Sequence, residues 1–517
     1  MSLGVFLEAL SIAFSWPTAG WIIAGVLIGI IIGALPGLGP SLGMAIMLPL
    51  TLPLSPVNAV ILLVSVYSGA MYGGAIAAIL INAPGTAAAA ATTFEGYPMS
   101  RKGEAMKALS ISATASSLAG FFTVITLILL SPVLVEIVLA FTSPEYFLIA
   151  LLGLAMITVI ARGSMIKGLV AGMFGLMITS IGTSTTSVTP RYAFEDVLGF
   201  VMYDGISFVA VLIGLFAIAE MFKLAGEKGG ISGRETVLSG SIVPGIKSVL
   251  SHPVTLVKSG YIGMLIGSIP GAGSTVSTFV AYGESVRSSK DKESFGTGNE
   301  TGLIAAESSN NGTIGGSLIP TLSFGIPGSA ATAVLLGGLV MHGLNPGPTL
   351  FSEELATTYS LFIALLVGNV LILLIGLFFV TRASIITQVD TDYIIPLIIV
   401  LALLGAVALR GDTQTWLDIG TVVGLGVVGF YMKKYDYSII AFVLGVVLGE
   451  IAEENLDRSL QLSDGSLWFL ISEDSILSTE WWVFLERPLS IALVVLILLL
   501  VFGPFVKPRL VGLLDRS

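Results

Sequence analysis

Few side chains in this sequence are equipped to make or break a bond. There is no cysteine, and histidine occurs only as His252 and His342, which excludes disulfides, thiolate metal sites, iron–sulfur clusters and cysteine nucleophiles. The polar groups that stand out are hydroxyls and amides beside Pro-Gly breaks. Ser41 follows Pro36-Gly37-Leu38-Gly39, and Ser274 and Thr275 follow Pro270-Gly271-Ala272-Gly273. Asn82 and Thr86 flank Pro84-Gly85, Ser323 and Ser329 flank Pro327-Gly328, and Asn310 and Asn311 lie upstream. Uncharged donors beside an opened backbone suit the holding of a ligand rather than attack on it. His252 precedes a proline and His342 follows an apolar segment, so both are assigned to surface roles.

The elements that position these residues are membrane helices. Hydrophobic residues make up 55% of the chain and charged ones 11%, and the mean hydropathy is +0.97, outside the range of soluble domains. At about 20 residues per span the length allows roughly a dozen helices. The net charge of -10 does not suggest nucleic acid or anionic lipid as a partner. No basic segment precedes a short apolar core at the N-terminus, so no cleaved signal peptide is expected.

In chain order, residues 1–16 form an N-terminal apolar helix, spanning or interfacial. A helix from Trp21 to Leu35 stops at Pro36-Gly37, and Gly39 to Leu50 is too short to cross, which fits a re-entrant hairpin. Asn58 to Ile81 can cross and ends at the second break. Spans are expected at Ala108 to Leu130, Tyr146 to Ala161, Met165 to Ile181 and Gly199 to Phe222, with a short apolar piece, Val133 to Phe141. The second half repeats the order: Tyr261 to Ile269, a hairpin arm, Leu303 to Ile326, then Tyr359 to Val380, Tyr393 to Leu409, Trp416 to Tyr431 and Tyr437 to Glu450. One extra span follows, Leu489 to Phe505. Setting Pro84 on Pro327 also places Gly69 on Gly312, Gly73 on Gly316, Ile76 on Ile319 and Gly85 on Gly328 without a gap. Tyr146 with Arg162-Gly163 matches Tyr393 with Arg410-Gly411 at the cost of one inserted residue. The organisation is therefore repeat 1 over 17–224, a cytoplasmic link over 225–258, repeat 2 over 259–451, and an external acidic loop, extra helix and cytoplasmic tail over 452–517.

Lys and Arg loops stay in the cytoplasm. The link from Lys223 to Lys258, Lys433-Lys434 and the tail with Lys507, Arg509 and Arg516 are basic, whereas Ile451 to Glu486 is acidic. Arg101-Lys102, Arg162 with Lys167, Arg287 to Lys292 and Arg382 also fall inside; Arg410, beside Asp412, is the exception. Corresponding helices then run antiparallel. The expected fold is an all-α polytopic membrane protein with two inverted-topology repeats, re-entrant hairpins and broken helices, an architecture of many secondary transporters.

A helix that ends inside a membrane must aim its free N–H or C=O groups at a partner. Helix starts suit a carboxylate and helix ends a cation. This assigns substrate binding to Gly37, Gly39, Ser41, Asn82, Gly85, Thr86, Gly271, Gly273, Ser274, Thr275, Asn310, Asn311, Gly328 and Ser329. The cation-coupling candidates are Pro36, Gly37, Pro270, Gly271, Ser323 and Glu307, with Na+ as the one metal ion the residue types suit and no organic cofactor. With no Lys or Arg in these segments, an anion needs a co-transported Na+ or H+ to balance it. Of the other carboxylates at apparent membrane depth, Asp204, Glu220, Glu284 and Glu450, interfacial anchoring is the expected role of Glu220 and Glu450. The glycine-rich loops carry no Lys-Ser/Thr pair, so ATP hydrolysis is not indicated. A passive anion channel is the closer alternative to a coupled carrier; an intramembrane enzyme lacks a nucleophile with its base.

Through Gly33-Ala34-Leu35-Pro36-Gly37-Leu38-Gly39, its counterpart Gly267-Ser268-Ile269-Pro270-Gly271-Ala272-Gly273, and the region from Tyr72-Gly73-Gly74 to Pro84-Gly85-Thr86, the sequence resembles the large membrane subunit of the tripartite tricarboxylate transporters. The resemblance covers residues 17 to 505. It implies a bacterial inner-membrane carrier with a cytoplasmic C-terminus, working with a small membrane subunit and a periplasmic solute-binding protein. It further implies import of citrate or another tricarboxylate or dicarboxylate by symport.

Overall fold

The computed structural model describes residues 3–160, 164–183, 190–226, 241–378, 391–410, 414–462 and 487–500. Arg162-Gly163, Arg382, Gly411-Asp412, the acidic stretch 463–486, the middle of the link at 227–240 and the tail from 501 onward lie outside the described residues.

The chain divides into two compact units, Met1–Val135 with Val209–Phe430, and Glu136–Phe208 with Tyr431–Ser517. In the first unit α1 (Leu3–Phe14) and α2 (Thr18–Ala34) precede the first break. They are followed by α3 (Pro40–Leu50), α4 (Pro56–Ile81), the second break, a 3-10 turn (Ala87–Ala89) and α5 (Ala90–Arg101). Next come α6 (Ala105–Ala140), and in the second unit α7 (Ser143–Ile160) and α8 (Met165–Thr179). The chain returns to the first unit with α9 (Phe208–Gly226), α10 (Val243–Ser251) and α11 (Pro253–Gly267). After the third break come α12 (Gly273–Ser288), α13 (Glu300–Phe324), the fourth break, α14 (Ala330–Met341) and α15 (Leu355–Phe378). The remaining helices are α16 (Thr391–Ala408), α17 (Thr415–Lys434), α18 (Ile439–Leu462) and α19 (Pro488–Leu500). The fold is all-helical among the described residues apart from one two-stranded ribbon, Gly182–Thr183 with Pro190–Arg191. Among the described residues five helices are long and apolar enough to cross a membrane, or up to seven if α1–α2 and α10–α11, bent by 65° and 78°, each make one span.

Glycine seams hold the first unit together. An added Cβ would lie 2.4 Å from the Val26 carbonyl oxygen at Gly69, 2.4 Å from that of Ile30 at Gly73, and 2.4 and 2.2 Å from those of Val66 and Ala70 at Gly29 and Gly33. The pair α11 and α13 repeats the pattern at the matched positions. Gly312 faces the carbonyl of Gly260 at 2.4 Å, Gly316 that of Met264 at 2.0 Å, and Gly263 and Gly267 those of Ser309 and Thr313 at 2.3 and 2.6 Å. Small residues four apart let two backbones touch where lipid provides no hydrophobic drive. The Gly69/Gly312 and Gly73/Gly316 matches therefore have a packing cause.

The short arms then cross between the halves. Arm α3 lies against α14, where Thr51 Oγ1 meets His342 Nε2 at 2.9 Å. Arm α12 lies against the 3-10 turn and α5, where Thr278 Oγ1 donates to the Ala88 carbonyl at 3.2 Å and Phe94 packs edge-on against Phe279.

Four expectations change. Helix α6 is one 36-residue helix that runs through Pro132, where a span and a separate short piece were expected. The proline removes the N–H that would serve the Ile128 carbonyl, and Ser131 Oγ donates to that oxygen instead at 2.9 Å. Helix α9 starts at Phe208 rather than Gly199, because Gly205 takes a left-handed φ of 65° and turns the chain; a π-helical turn covers Ile213–Ile218. The link contains a helix, α10, and α11 begins at Pro253 rather than Tyr261. Finally, α18 continues past Glu450 to Leu462, held in the second unit by Arg191 on Glu453 at 2.9 Å and an i,i+4 pair of Arg458 with Glu454.

Candidate substrate site at the broken helices

The four breaks fall into two chemical kinds. At the first break Gly37 has φ 83°, and α3 starts at Pro40 behind Gly39 with no side-chain cap. At the third, Gly271 and Gly273 have φ 71° and 62°, and α12 starts behind Ala272, again without a side-chain cap. The left-handed conformation accounts for glycine at these tips. An uncapped start leaves its first N–H groups without intrahelical partners and concentrates roughly half a positive charge there.

The second and fourth breaks are closed by their own side chains. Asn82 and Gly325, matched positions, end α4 and α13 in the left-handed conformation with φ 57° and 67°. Thr86 Oγ1 accepts the Ala89 N–H at 3.2 Å. Ser329 and Thr332 form a capping box, with Oγ of Ser329 accepting the Thr332 N–H at 3.2 Å and Oγ1 of Thr332 accepting the Ser329 N–H at 2.9 Å. The Gly85 N–H donates to the Gly74 carbonyl at 3.1 Å, and the Gly328 N–H to Thr321 Oγ1 at 3.3 Å. Both glycines are packing residues as well: an added Cβ at Gly85 would lie 1.9 Å from the Gly33 carbonyl oxygen, and at Gly328 2.9 Å from that of Gly267.

The remaining candidates separate by depth. Gly37 and Asn82 are exposed, while Pro36, Gly39, Ser41, Pro270, Ser274 and Thr275 are half-buried. Gly271, Gly273, Asn310, Asn311 and Ser323 are buried. An added Cβ at Gly273 would come within 3.7 Å of Ser329 Cβ, so the third and fourth breaks adjoin. Asn310 Nδ2 donates to the Met71 carbonyl at 3.0 Å, and Tyr67 Oη meets Ser317 Oγ at 3.1 Å, joining α4 to α13. Both amide atoms of Asn311, and the hydroxyls of Ser308, Ser309 and Ser323, have no hydrogen-bond partner among the described residues.

The carboxylates sort by their partners. Glu307 is fully buried and accepts hydrogen bonds from Ser112 at 2.9 Å, Ser116 at 2.8 Å and Thr92. Glu284 is engaged by Lys258 and by Arg287 at 2.6 Å. Asp204 and Glu450 are exposed. Glu220 is 8% exposed and lies against the first tip, with an added Gly37 Cβ 3.7 Å from its Oε1; Lys223 pairs with it at 3.2 Å. Arg410 pairs with the buried Asp418, both oxygens of which lie 3.1 Å from Nε. His342 is half-buried beside Thr51 rather than on the open surface, and desolvation pushes its pKa below the ordinary histidine value. His252 Nδ1 meets the Ser248 carbonyl at 2.8 Å at the α10–α11 bend.

Sequence reasoning missed Glu95. Its buried carboxylate accepts the N–H groups of Gly296, Gly298 and Asn299 at 2.6, 2.8 and 2.6 Å and the Tyr282 hydroxyl at 2.7 Å. It clasps the α12–α13 loop to α5. The available signal was a lone acid in an arm whose other charge is the terminal Arg101, opposite the glycine-rich Phe295–Gly298.

Apolar helices joined by glycine seams and broken at polar, glycine-tipped ends define a polytopic, all-helical membrane protein. The chain belongs to the tripartite tricarboxylate transporter TctA family, whose model matches residues 20–444. It is thus a component of a transport system and not an enzyme. It is 31% identical over 419 residues to the "Uncharacterized 52.8 kDa protein in TAR-I ttuC' 3'region" of Agrobacterium vitis, covering 81% of this chain and 82% of that one. It is 27% identical over 203 residues to the "Uncharacterized protein in TAR-II ttuC' 3'region" of the same organism, covering 39% of this chain and 83% of that one. No solved structure matches it.

Proposed function

We propose that the protein is a secondary active importer of an organic carboxylate, a tricarboxylate or dicarboxylate such as citrate, driven by a Na+ or H+ gradient. The observation that carries this reading is the contrast between the breaks. The starts of α3 and α12 have no side-chain cap behind their glycine tips, whereas Thr86 and Ser329 close the other two. Two open helix starts, each supplying N–H donors and partial positive charge, match the carboxylates of a small polyacid. No guanidinium or ammonium is needed, so the solute is held loosely enough to be released.

In this reading the halves are inverted repeats, α3 and α12 enter the bilayer as arms of re-entrant hairpins, and the hairpin-bearing part moves in an elevator-like step. The carrier sits in the bacterial inner membrane with its C-terminus in the cytoplasm, next to a small membrane subunit, and receives solute from a periplasmic binding protein. Labelled dicarboxylates and tricarboxylates are offered to proteoliposomes with and without a Na+ or pH gradient, and with the binding protein added. Accumulation against the solute gradient is expected. Flux that only dissipates the solute gradient would replace the carrier with a channel.

A further inference from the structure

Glu307 is fully buried, and no ion pair reaches it among the described residues. Its shell is made of hydroxyls from two other helices, Thr92 on α5 and Ser112 and Ser116 on α6. Tyr72, a buried phenol on α4, is a titratable neighbour. Asn311, one helical turn along the same face of α13, has an amide oxygen and nitrogen that find no hydrogen-bond partner among the described residues, and neither does the hydroxyl of Ser308 beside it. A buried carboxylate left without a counter-charge is strongly destabilising.

We propose that Glu307, with Thr92, Ser112, Ser116 and Asn311, binds the monovalent cation, H+ or Na+, that drives transport. The proposal rests on the ion-coupled reading above and moves the cation from the helix ends at Pro36-Gly37 and Pro270-Gly271 to this cage. A hydroxyl both donates and accepts. The three donate to the ionised carboxylate when the site is empty, and turn their lone pairs inward when the carboxylate is neutralised. Asn311 adds an acceptor oxygen that no described residue uses. Thr92 stands in the arm that follows the second break and bonds Glu307 directly, so filling or emptying the cage changes the tie between that arm and α13.

The site occurs once. In the alignment that sets Pro84 on Pro327, Ser308 and Asn311 fall on Ser65 and Ser68, whose hydroxyls are also unpartnered, but Glu307 falls on Val64. The first half retains the uncharged positions without the acid, so the cage supplies one charge per transport cycle.

The test uses the purified full chain. Infrared difference spectra are recorded on a Na+ step at fixed pH and on a pH step without Na+, for the natural protein and Glu307→Gln. A carboxyl band that responds to one of the two steps and vanishes in Glu307→Gln is expected; a response to Na+ at fixed pH assigns sodium, and a response to pH alone assigns the proton. In proteoliposomes Glu307→Gln should lose gradient-driven accumulation at least about tenfold, the ratio produced by 1.4 kcal/mol of lost coupling. A band that persists in Glu307→Gln, or accumulation that is unchanged, overturns the proposal. If Glu307→Gln does not fold, Ser116→Ala keeps the acid and removes one donor; the midpoint of the band's Na+ or pH response must then shift, and an unmoved midpoint overturns it equally. The spectra need no solute, so their outcome stands apart from whether the protein carries carboxylates.

Discussion

Gly85→Ala separates a packing role at the second break from a ligand role. The added Cβ would lie 1.9 Å from the Gly33 carbonyl oxygen and 2.9 Å from Gly74 Cα. Ordinary contact begins at 3.4 Å, so about 1.5 Å of movement (3.4 − 1.9) has to be found. Both neighbours are backbone atoms, on helices already in contact at Gly29, Gly69 and Gly73, so the strain has no flexible side chain to absorb it. Overpacking costs about 1–3 kcal/mol, and displacing the segment weakens the bond from the Gly85 N–H to Gly74, worth about 1 kcal/mol. The sum is a loss of about 2–4 kcal/mol. Thermal unfolding of the purified protein in nanodiscs, followed by tryptophan fluorescence, measures it. Gly39→Ala is the control, since Gly39 has φ -68° and nothing within 4 Å of an added Cβ. Gly328→Ala, with its nearest atoms at 2.8 and 2.9 Å, should fall between the two. A Gly85→Ala protein that melts with the natural one would refute the close approach of the second break to α2.

Gly37→Val and Gly271→Val each place a β-branched residue at a left-handed φ, at a local cost of about 1–3 kcal/mol; both should abolish carboxylate uptake while the protein stays folded in the membrane, and unchanged uptake in both would argue against a site at these tips. Ser329→Ala removes the α14 cap and should cost about 1 kcal/mol in the same melting assay, and an unchanged melting temperature would refute the cap. Glu95→Ala strands three backbone N–H groups and a phenol, a loss on the order of 3 kcal/mol; hydrogen exchange across 294–299 should quicken, and unaltered exchange would remove the clasp. His342 has a folded-state pKa below its unfolded one, so the unfolded chain binds more protons between the two values. Its contribution is present above the ordinary histidine pKa and fades as pH falls through the folded one. Replacing His342 with Gln should flatten the decline in melting temperature as pH falls below the ordinary histidine pKa, and an unchanged profile would refute that origin.

The interruptions were legible because Pro-Gly inside an apolar run has few alternatives to a break. The matched glycines were legible because close helix crossings tolerate little else. What the sequence hid was settled by partners distant in the chain. Whether Pro132 ends a helix depended on a neighbouring serine that serves the bereft carbonyl. The reach of α18 beyond Glu450 depended on Arg191, far upstream, neutralising part of an acidic run that looks like a loop. The candidate site was legible as a set of breaks but not as two kinds of break, because Thr86 and Ser329 look like ligand hydroxyls until their caps are seen. Glu95 was passed over because the chain around it carries no pattern; its meaning lies in the N–H groups of a loop about 200 residues away.

The crossing of the short arms bears on how the protein is made. Thr51 meets His342 across 291 residues of chain and Ala88 meets Thr278 across 190. At about 5–20 residues per second, the ribosome leaves α3 and α5 waiting on the order of 10–60 s for the helices that cover them. Through that interval two stretches too short to span a bilayer, the first with its glycine tip open, must be sheltered by the insertion machinery or by lipid headgroups. The N-terminal half cannot mature ahead of the C-terminal half. Co-expression of the two halves as separate chains should restore a folded protein that neither half forms alone.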